Sequence, residues 1–236
     1  GERLDYPKGE EPQPYRSLAE FERLAKGLPA DEAAKLREAV YLTAGEVREL
    51  LAHVKATARH PWIYPLVATA AYAGARRAEL LRAQTADVDL EGGTITLRER
   101  KRSRTRKTTR RVPLSADLAE ILREWLAIHP GGPHLFGVAG TVGRSRKRGL
   151  GSGSEIKPLT LDEARHHFKQ SIAGSKWEPV PGLHTLRHSF ISALASKGVD
   201  QRLIDEFSGH CTEEQRARYR HLYPSVKADA IKLAFE

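Results

Sequence analysis

The segment His184-Thr-Leu-Arg187-His188 carries three side chains that could act together on a phosphate group. In a helix, positions i, i+3 and i+4 share one face, so the two histidines and the arginine would form a single polar stripe. A guanidinium offers a fork of hydrogen-bond donors to phosphate oxygens, and an imidazole exchanges a proton near neutral pH. Taken alone, such a segment is more often a solvated polar stripe, so its chemistry depends on its neighbours.

A second charged group, Gly74-Ala-Arg76-Arg77-Ala-Glu79-Leu80, follows an apolar, Ala-rich segment. Glu79 lies three residues after Arg76, so its carboxylate could orient that guanidinium while Arg77 faces solvent. An exposed Arg-Arg pair at a helix end more often only complements the helix dipole. This group therefore gives two candidate cations and one candidate bracing carboxylate.

A third group, Ser208-Gly209-His210, is followed nine residues later by Tyr219. Glycine suits a sharp turn that would project His210. Tyr219 stands between Arg218 and Arg220, and positive potential favours a phenolate and attracts phosphate. The alternative is a tyrosine buried in a C-terminal helix, which is the usual fate of a lone tyrosine.

Composition limits the classes to which the chain can belong. Its 236 residues include 39 Lys+Arg and 30 Asp+Glu, and 39 − 30 gives a net charge of +9 with His neutral. With 40% hydrophobic residues the chain can bury a core, and one cysteine, Cys211, excludes an internal disulfide framework. No apolar run approaches the length of a membrane span. We therefore expect a soluble, intracellular globular protein with an anionic partner.

The spacing of apolar residues predicts the elements that must position these groups. Helices are predicted over 17–40, 43–54, 62–73, 116–128, 160–172, 183–197, 200–208 and 213–221, and strands over 94–97 and 110–114. Residues 137–158, rich in Gly, Ser, Arg and Lys, are predicted to be a mobile loop. The predicted fold class is mostly α with a small antiparallel β-sheet (α+β).

Together, the three groups resemble the boxes of one family, the tyrosine recombinases or phage-type integrases. The group around Arg76 resembles the family's first arginine box, His184-Thr-Leu-Arg187 its His-x-x-Arg box, and Gly209-His210 with Tyr219 its C-terminal box. Each box is weak alone, but all three occur in the family's order, with a basic hairpin between the first and second. The likeness covers nearly everything from Tyr41 to Phe235.

The resemblance implies a role for each matching residue. Tyr219 would be the nucleophile, forming a covalent 3′-phosphotyrosine, and Tyr223 is its rival. Arg76 and Arg187 would clamp the phosphate, with Glu79 bracing Arg76, and His184 and His210 would assist by proton transfer and hydrogen bonding. No metal or other cofactor is implied.

The resemblance offers two lysines for the general acid that protonates the leaving 5′-oxygen. Lys101 best matches the family's hairpin lysine. Lys101 and Pro113 are twelve residues apart, however, and family hairpins usually turn faster, so Lys107 is an alternative.

The predicted hairpin concentrates positive charge, since residues 98–111 contain nine Lys/Arg and one glutamate. The predicted contacts to double-stranded DNA are Arg77, Arg102, Arg104, Arg106, Lys107, Arg110 and Arg111. The alternatives to a recombinase are a non-catalytic DNA-binding module and a relaxing enzyme resembling type IB topoisomerases. We expect a monomer in isolation and a tetramer on paired DNA sites.

The domain organisation is also an expectation. Residues 1–40 are interpreted as a linker and partial helical segment, and residues 41–236 as the catalytic domain. Family members normally carry a further N-terminal DNA-binding domain that about 40 residues cannot supply. The chain contains no methionine, even at position 1, which favours a trimmed or excised fragment.

Overall fold

Helices form most of the described part of the chain, and short polar caps start several of them. The computed structural model describes residues 14–98, 109–139, 156–209 and 212–222. The Ser17 and Thr43 hydroxyls each accept a hydrogen bond from the backbone N–H three residues later, which is the geometry of a capping box. The helices are α1 Leu18–Ala25, α2 Ala30–Glu38, α3 Ala44–Thr57, α4 Ile63–Ala73, α5 Arg77–Leu80, α6 Ala116–Ala127, α7 Leu161–Ile172, α8 Leu183–Ser196, α9 Gln201–Ser208 and α10 Glu213–Ala217.

The strands form three small sheets. They are β1 Arg16–Ser17, β2 Val40–Tyr41, β3 Val88–Asp89, β4 Thr94–Arg98, β5 Thr109–Pro113, β6 Gly137–Ala139 and β7 Ile156–Pro158. Strands β3, β4 and β5 are antiparallel neighbours, with Ile95 opposite Val112, whereas β1 and β2 pair in parallel. The predicted fold class is confirmed.

Two predicted elements differ from the structure. The helix predicted over 17–40 is broken between α1 and α2, where Gly27 adopts φ +85° and Pro29 precedes the second helix. The loop predicted over 137–158 is structured at both ends, because β6 and β7 pair with each other, with Val138 opposite Lys157. Residues 140–155 lie outside the described residues.

The core is organised around α4, which is buried over nearly its whole length and packs against α3, α6 and α8. Leu18 and Phe21 of α1 join the same core, so α1 packs on the helices that follow it. Where the catalytic domain begins stays a prediction. Within the described ranges, no helix combines the length and the apolar character needed to cross a membrane.

Gly74 ends α4 in a conformation that only glycine fits. Its φ is +58°, and an added Cβ would stand 2.4 Å from Cδ1 of Phe190 on α8. Backbone strain and this overlap should together make Gly74→Ala destabilising by about 3 kcal/mol, measured by denaturant unfolding.

Gly174→Ala is the matched control for this prediction. Gly174 has φ +69°, but its added Cβ would meet no atom within 4 Å. Only backbone strain then applies, and a loss of about 1 kcal/mol is expected. Equal losses in the two variants would contradict a steric role for Phe190.

Candidate active site

Arg187 joins three segments that are distant in sequence. It lies on α8, is 4% exposed, and donates hydrogen bonds to the backbone oxygens of Gly74 (2.7 Å) and Ser208 (2.5 Å). The ends of α4 and α9 are therefore fixed by one guanidinium. The turn after α9 also receives Arg76, whose Nη2 donates to the oxygen of Gly209 at 2.9 Å.

Glu79 is the carboxylate that holds the arginines in place. It is 1% exposed and accepts hydrogen bonds from the backbone N of Arg76 (2.7 Å), from Arg76 Nη1 (3.0 Å) and from both terminal nitrogens of Arg110 (2.5 and 2.8 Å). Burial alone would raise the pKa of Glu79, but the hydrogen bonds and charges of Arg110 and Arg76 outweigh it and lower the pKa below its ordinary value. Glu79 is therefore an ionised bridge between two cations.

Arg110 differs from its predicted role as a DNA contact. Side chains alternate along β5, so Arg110 and Val112 point inward while Arg111 is exposed. The Arg110 side chain is 6% exposed, binds Glu79, and donates from Nε to the oxygen of Phe207 at 2.7 Å. The strand register thus places it among the supports of the site rather than on the surface.

An open cavity of about 750 Å³ lies beside this network. Arg77, Arg165, His184, His188 and Arg218 contribute to its lining. Desolvation lowers the pKa of His184 to about 4, and the charges of Arg187, Arg77 and Arg76 act in the same direction. Part of His184 still faces solvent, and its lowered pKa keeps the imidazole neutral at pH 7.

Tyr219 lies in the turn after α10, where the sequence predicted a helix continuing to residue 221. It is only 4% exposed, and its hydroxyl is 2.8 Å from Nδ1 of His188. The ring of Tyr15 stacks on that of Tyr219, with centroids 4.6 Å apart, and meets that of His188 at a tilt, with centroids 4.1 Å apart. His184 meets His188 edge to face, with centroids 4.4 Å apart.

The structure thus forms two connected groups from the predicted residues. Arg76, Glu79 and Arg187 belong to one hydrogen-bonded network. His184 and Tyr219 both contact His188, which follows Arg187 on α8. The predicted residues that lie outside the described ones are Lys101, Arg102, Arg104, Arg106, Lys107, His210 and Tyr223.

Two residues in the site carry no role in the sequence analysis. His188 is visible there as part of a stripe, because it lies four residues after His184, but the resemblance assigns it nothing. Tyr15 gives no signal, since it follows a polar segment with several prolines. Across the described ranges, no group of three His, Cys, Asp or Glu side chains could hold a metal ion.

This fold, with paired arginines, histidines and a tyrosine carried on neighbouring elements, is that of a tyrosine recombinase catalytic domain. The Tn1549 transposon integrase, solved in complex with transposon right end DNA, aligns with 93% of this chain and 86% of its own at a TM-score of 0.61 and 15% identity. That likeness concerns the fold.

Sequence comparisons give the family. The model of the phage integrase family matches residues 40–225. The type 1 fimbriae regulatory protein FimB of Escherichia coli K12 is 31% identical over 72% of this chain and 78% of its own length. A tyrosine recombinase of Pseudothermotoga lettingae is 27% identical over 81% of this chain and 59% of its own length, so the chain spans little more than half of it. The chain belongs to the phage integrase family, which confirms the resemblance.

Proposed function

We propose that this protein is a site-specific DNA recombinase that cuts and rejoins strands through a covalent 3′-phosphotyrosine at Tyr219. One observation carries the proposal: Arg187 and Arg76 bind the neighbouring backbone oxygens of Ser208 and Gly209. All three sequence boxes therefore meet at one point. Simple DNA binding would not need two arginines fixed so closely by buried hydrogen bonds.

The two arginines would act on the phosphate. As Tyr219 attacks, negative charge grows on the non-bridging oxygens, and guanidinium groups already held in place stabilise it without reorganisation. Glu79 fixes Arg76, and the backbone oxygens of Gly74 and Ser208 fix Arg187. Because the phosphotyrosine bond conserves the energy of the phosphodiester, the strand can be rejoined without ATP.

His184 would serve the phosphate as a neutral group. Its lowered pKa means that the imidazole donates or accepts a hydrogen bond before DNA arrives, and a bound phosphate would raise that pKa. His210 as a second assisting group, and Lys101 or Lys107 as the general acid, follow from the resemblance alone.

The partner we propose is double-stranded DNA, in the cytoplasm. Arg77 on the cavity wall and Arg111 on β5 are exposed and available to its phosphates. Recombination would need a tetramer on two paired sites, assembled from a protein that is monomeric alone. Residues 41–236 would be the catalytic domain.

The test uses nicked suicide duplexes whose sequence around the nick is randomised. We expect wild-type protein to form a protease-sensitive adduct on the 3′ phosphate. Tyr219→Phe should form none while still shifting the same duplexes in a gel, because only the attacking oxygen is lost.

Three results would change the proposed nucleophile or the proposed function. An adduct that survives in Tyr219→Phe and disappears in Tyr223→Phe would move the nucleophile. No adduct with any duplex, despite binding, would favour a non-catalytic DNA-binding module. Relaxation of supercoiled plasmid without strand exchange between two sites would favour the topoisomerase-like enzyme.

A further inference from the structure

His188 forms a buried pair with Tyr219, and the catalytic roles above give His188 nothing to do. Nδ1 of His188 and the Tyr219 hydroxyl are 2.8 Å apart, and the two residues are 6% and 4% exposed. A phenol O–H is a strong donor, and the unprotonated nitrogen of a neutral imidazole is a good acceptor. This contact is long-range, since 31 residues separate the partners. We propose that His188 is the proton acceptor that activates the hydroxyl of Tyr219 for attack on DNA, an inference that rests on the proposed function.

Tyr15 helps to shield this pair from solvent. Its ring stacks on Tyr219, contacts His188 at a tilt, and is itself 5% exposed. Two contacts hold Tyr15 in place: its backbone N donates to the oxygen of Arg218 at 3.3 Å, and the Arg218 guanidinium lies 5.5 Å from its ring centroid. Where water has little access, an imidazole within hydrogen-bond reach of the phenol proton can accept it.

Burial and the charges around His188 keep its imidazole in the unprotonated form before DNA binds. The titratable groups that face it are Tyr15, Tyr219, His184, Arg187 and Arg218. Burial lowers the pKa of His188 well below 6.5, and His184, Arg187 and Arg218 act in the same direction. The imidazole is therefore neutral at pH 7. A DNA phosphate in the adjoining cavity, which His188 also lines, would offset these cations and favour the imidazolium.

The step balances without another reactant. As Oη of Tyr219 bonds to phosphorus, its proton passes to Nδ1 of His188. The bond from phosphorus to the 5′ oxygen breaks, and that oxygen takes a proton from the general acid. On rejoining, the 5′ hydroxyl attacks phosphorus and returns its proton to the general acid, the phosphotyrosine bond breaks, and the departing Oη recovers its proton from His188.

The test is the rate of adduct formation against pH, from 6 to 9, in wild type and in His188→Asn. Asparagine can hydrogen-bond near the Nδ1 position but cannot take up the proton. We expect the variant to react about 100-fold more slowly at pH 7. Its rate should then climb about tenfold per pH unit, because only preformed phenolate reacts, while the wild-type rate stays nearly flat above pH 7.

His166→Asn is the matched control, an exposed histidine on α7 that should keep the wild-type rate and pH profile. Duplex affinity should be unchanged in both variants. A wild-type rate in His188→Asn would overturn the proposal, and so would a slower rate with the wild-type pH profile, which indicates a structural role only.

A second measurement does not depend on activity or on the folding of His188→Asn. Long-range 1H–15N spectra of histidine-labelled wild-type protein identify which ring nitrogen carries hydrogen. We expect Nδ1 of His188 to be unprotonated, with its resonance shifted in Tyr219→Phe. Hydrogen on Nδ1 would overturn the proposal even if adducts form. Absence of any wild-type adduct, with Nδ1 unprotonated, would instead count against the proposed recombinase.

Discussion

Replacing Glu79 with Gln should lower the free energy of unfolding by about 3–5 kcal/mol and the melting temperature by about 10 °C. The substitution keeps the shape of the side chain but removes its charge. Arg110, whose side chain is 6% exposed, then loses the charge of the Glu79 carboxylate, and Arg76 loses its ionic brace. Breaking a buried ion pair on one side costs far more than the pair contributes when intact. Denaturant and thermal unfolding measure the effect.

Lowering the pH should reduce the stability of the wild-type protein for the same reason, because it removes the charge of Glu79. The folded-state pKa of Glu79 is lowered, so its contribution to stability is complete above its ordinary pKa of 4.5 and is lost as the pH falls through the folded-state value. The Gln variant lacks this group, and its stability should therefore fall less steeply in the same range.

Glu120→Gln provides the comparison. Glu120 also pairs with an arginine, Arg123, but the two side chains are 61% and 55% exposed. An exposed pair of this kind is worth about 0–1 kcal/mol, so little change is expected. Similar losses at Glu79 and Glu120 would contradict the idea that the network of Arg76, Glu79 and Arg110 is a structural foundation of the site.

Arg76→Lys should slow adduct formation by about 100- to 1,000-fold while changing duplex affinity only a few-fold. Lysine keeps the charge and can still pair with Glu79. It lacks the planar fork that lets Arg76 bind Glu79 and the oxygen of Gly209 at once, with 35% of the side chain still exposed to a substrate. Single-turnover kinetics on the suicide duplex, with binding measured separately, distinguish the two effects.

Arg123→Lys is the control for this prediction, because Arg123 lies on the exposed face of α6. It should react at the wild-type rate. If Arg76→Lys also reacts at that rate, the guanidinium fork is not used in the transition state. If it loses duplex affinity to the same extent as rate, Arg76 contributes binding rather than catalysis.

The local elements could be predicted from the sequence, because each depends on neighbouring residues. The capping box of Thr43 and Glu46, the strand at Thr94 and the helix carrying His184 all follow from spacing within a few positions. The order of the three boxes was sufficient to identify the family. The ends of helices were harder to predict from the sequence. The segment around Tyr219 has the spacing of a helix, yet the chain forms a turn there.

Contacts between distant segments were decided only by the tertiary structure. The inward direction of Arg110 depends on the register of β4 and β5, which fixes the face that each side chain occupies. Arg187 reaches Gly74 across 113 positions, and Arg76 reaches Gly209 across 133. The sequence by itself determined which residues could do chemistry. Packing determined which of them meet, because contacts between distant segments form only in the folded chain. Packing brings Arg76 and Arg110 to the carboxylate of Glu79. It also places the Tyr219 hydroxyl against His188, under the ring of Tyr15.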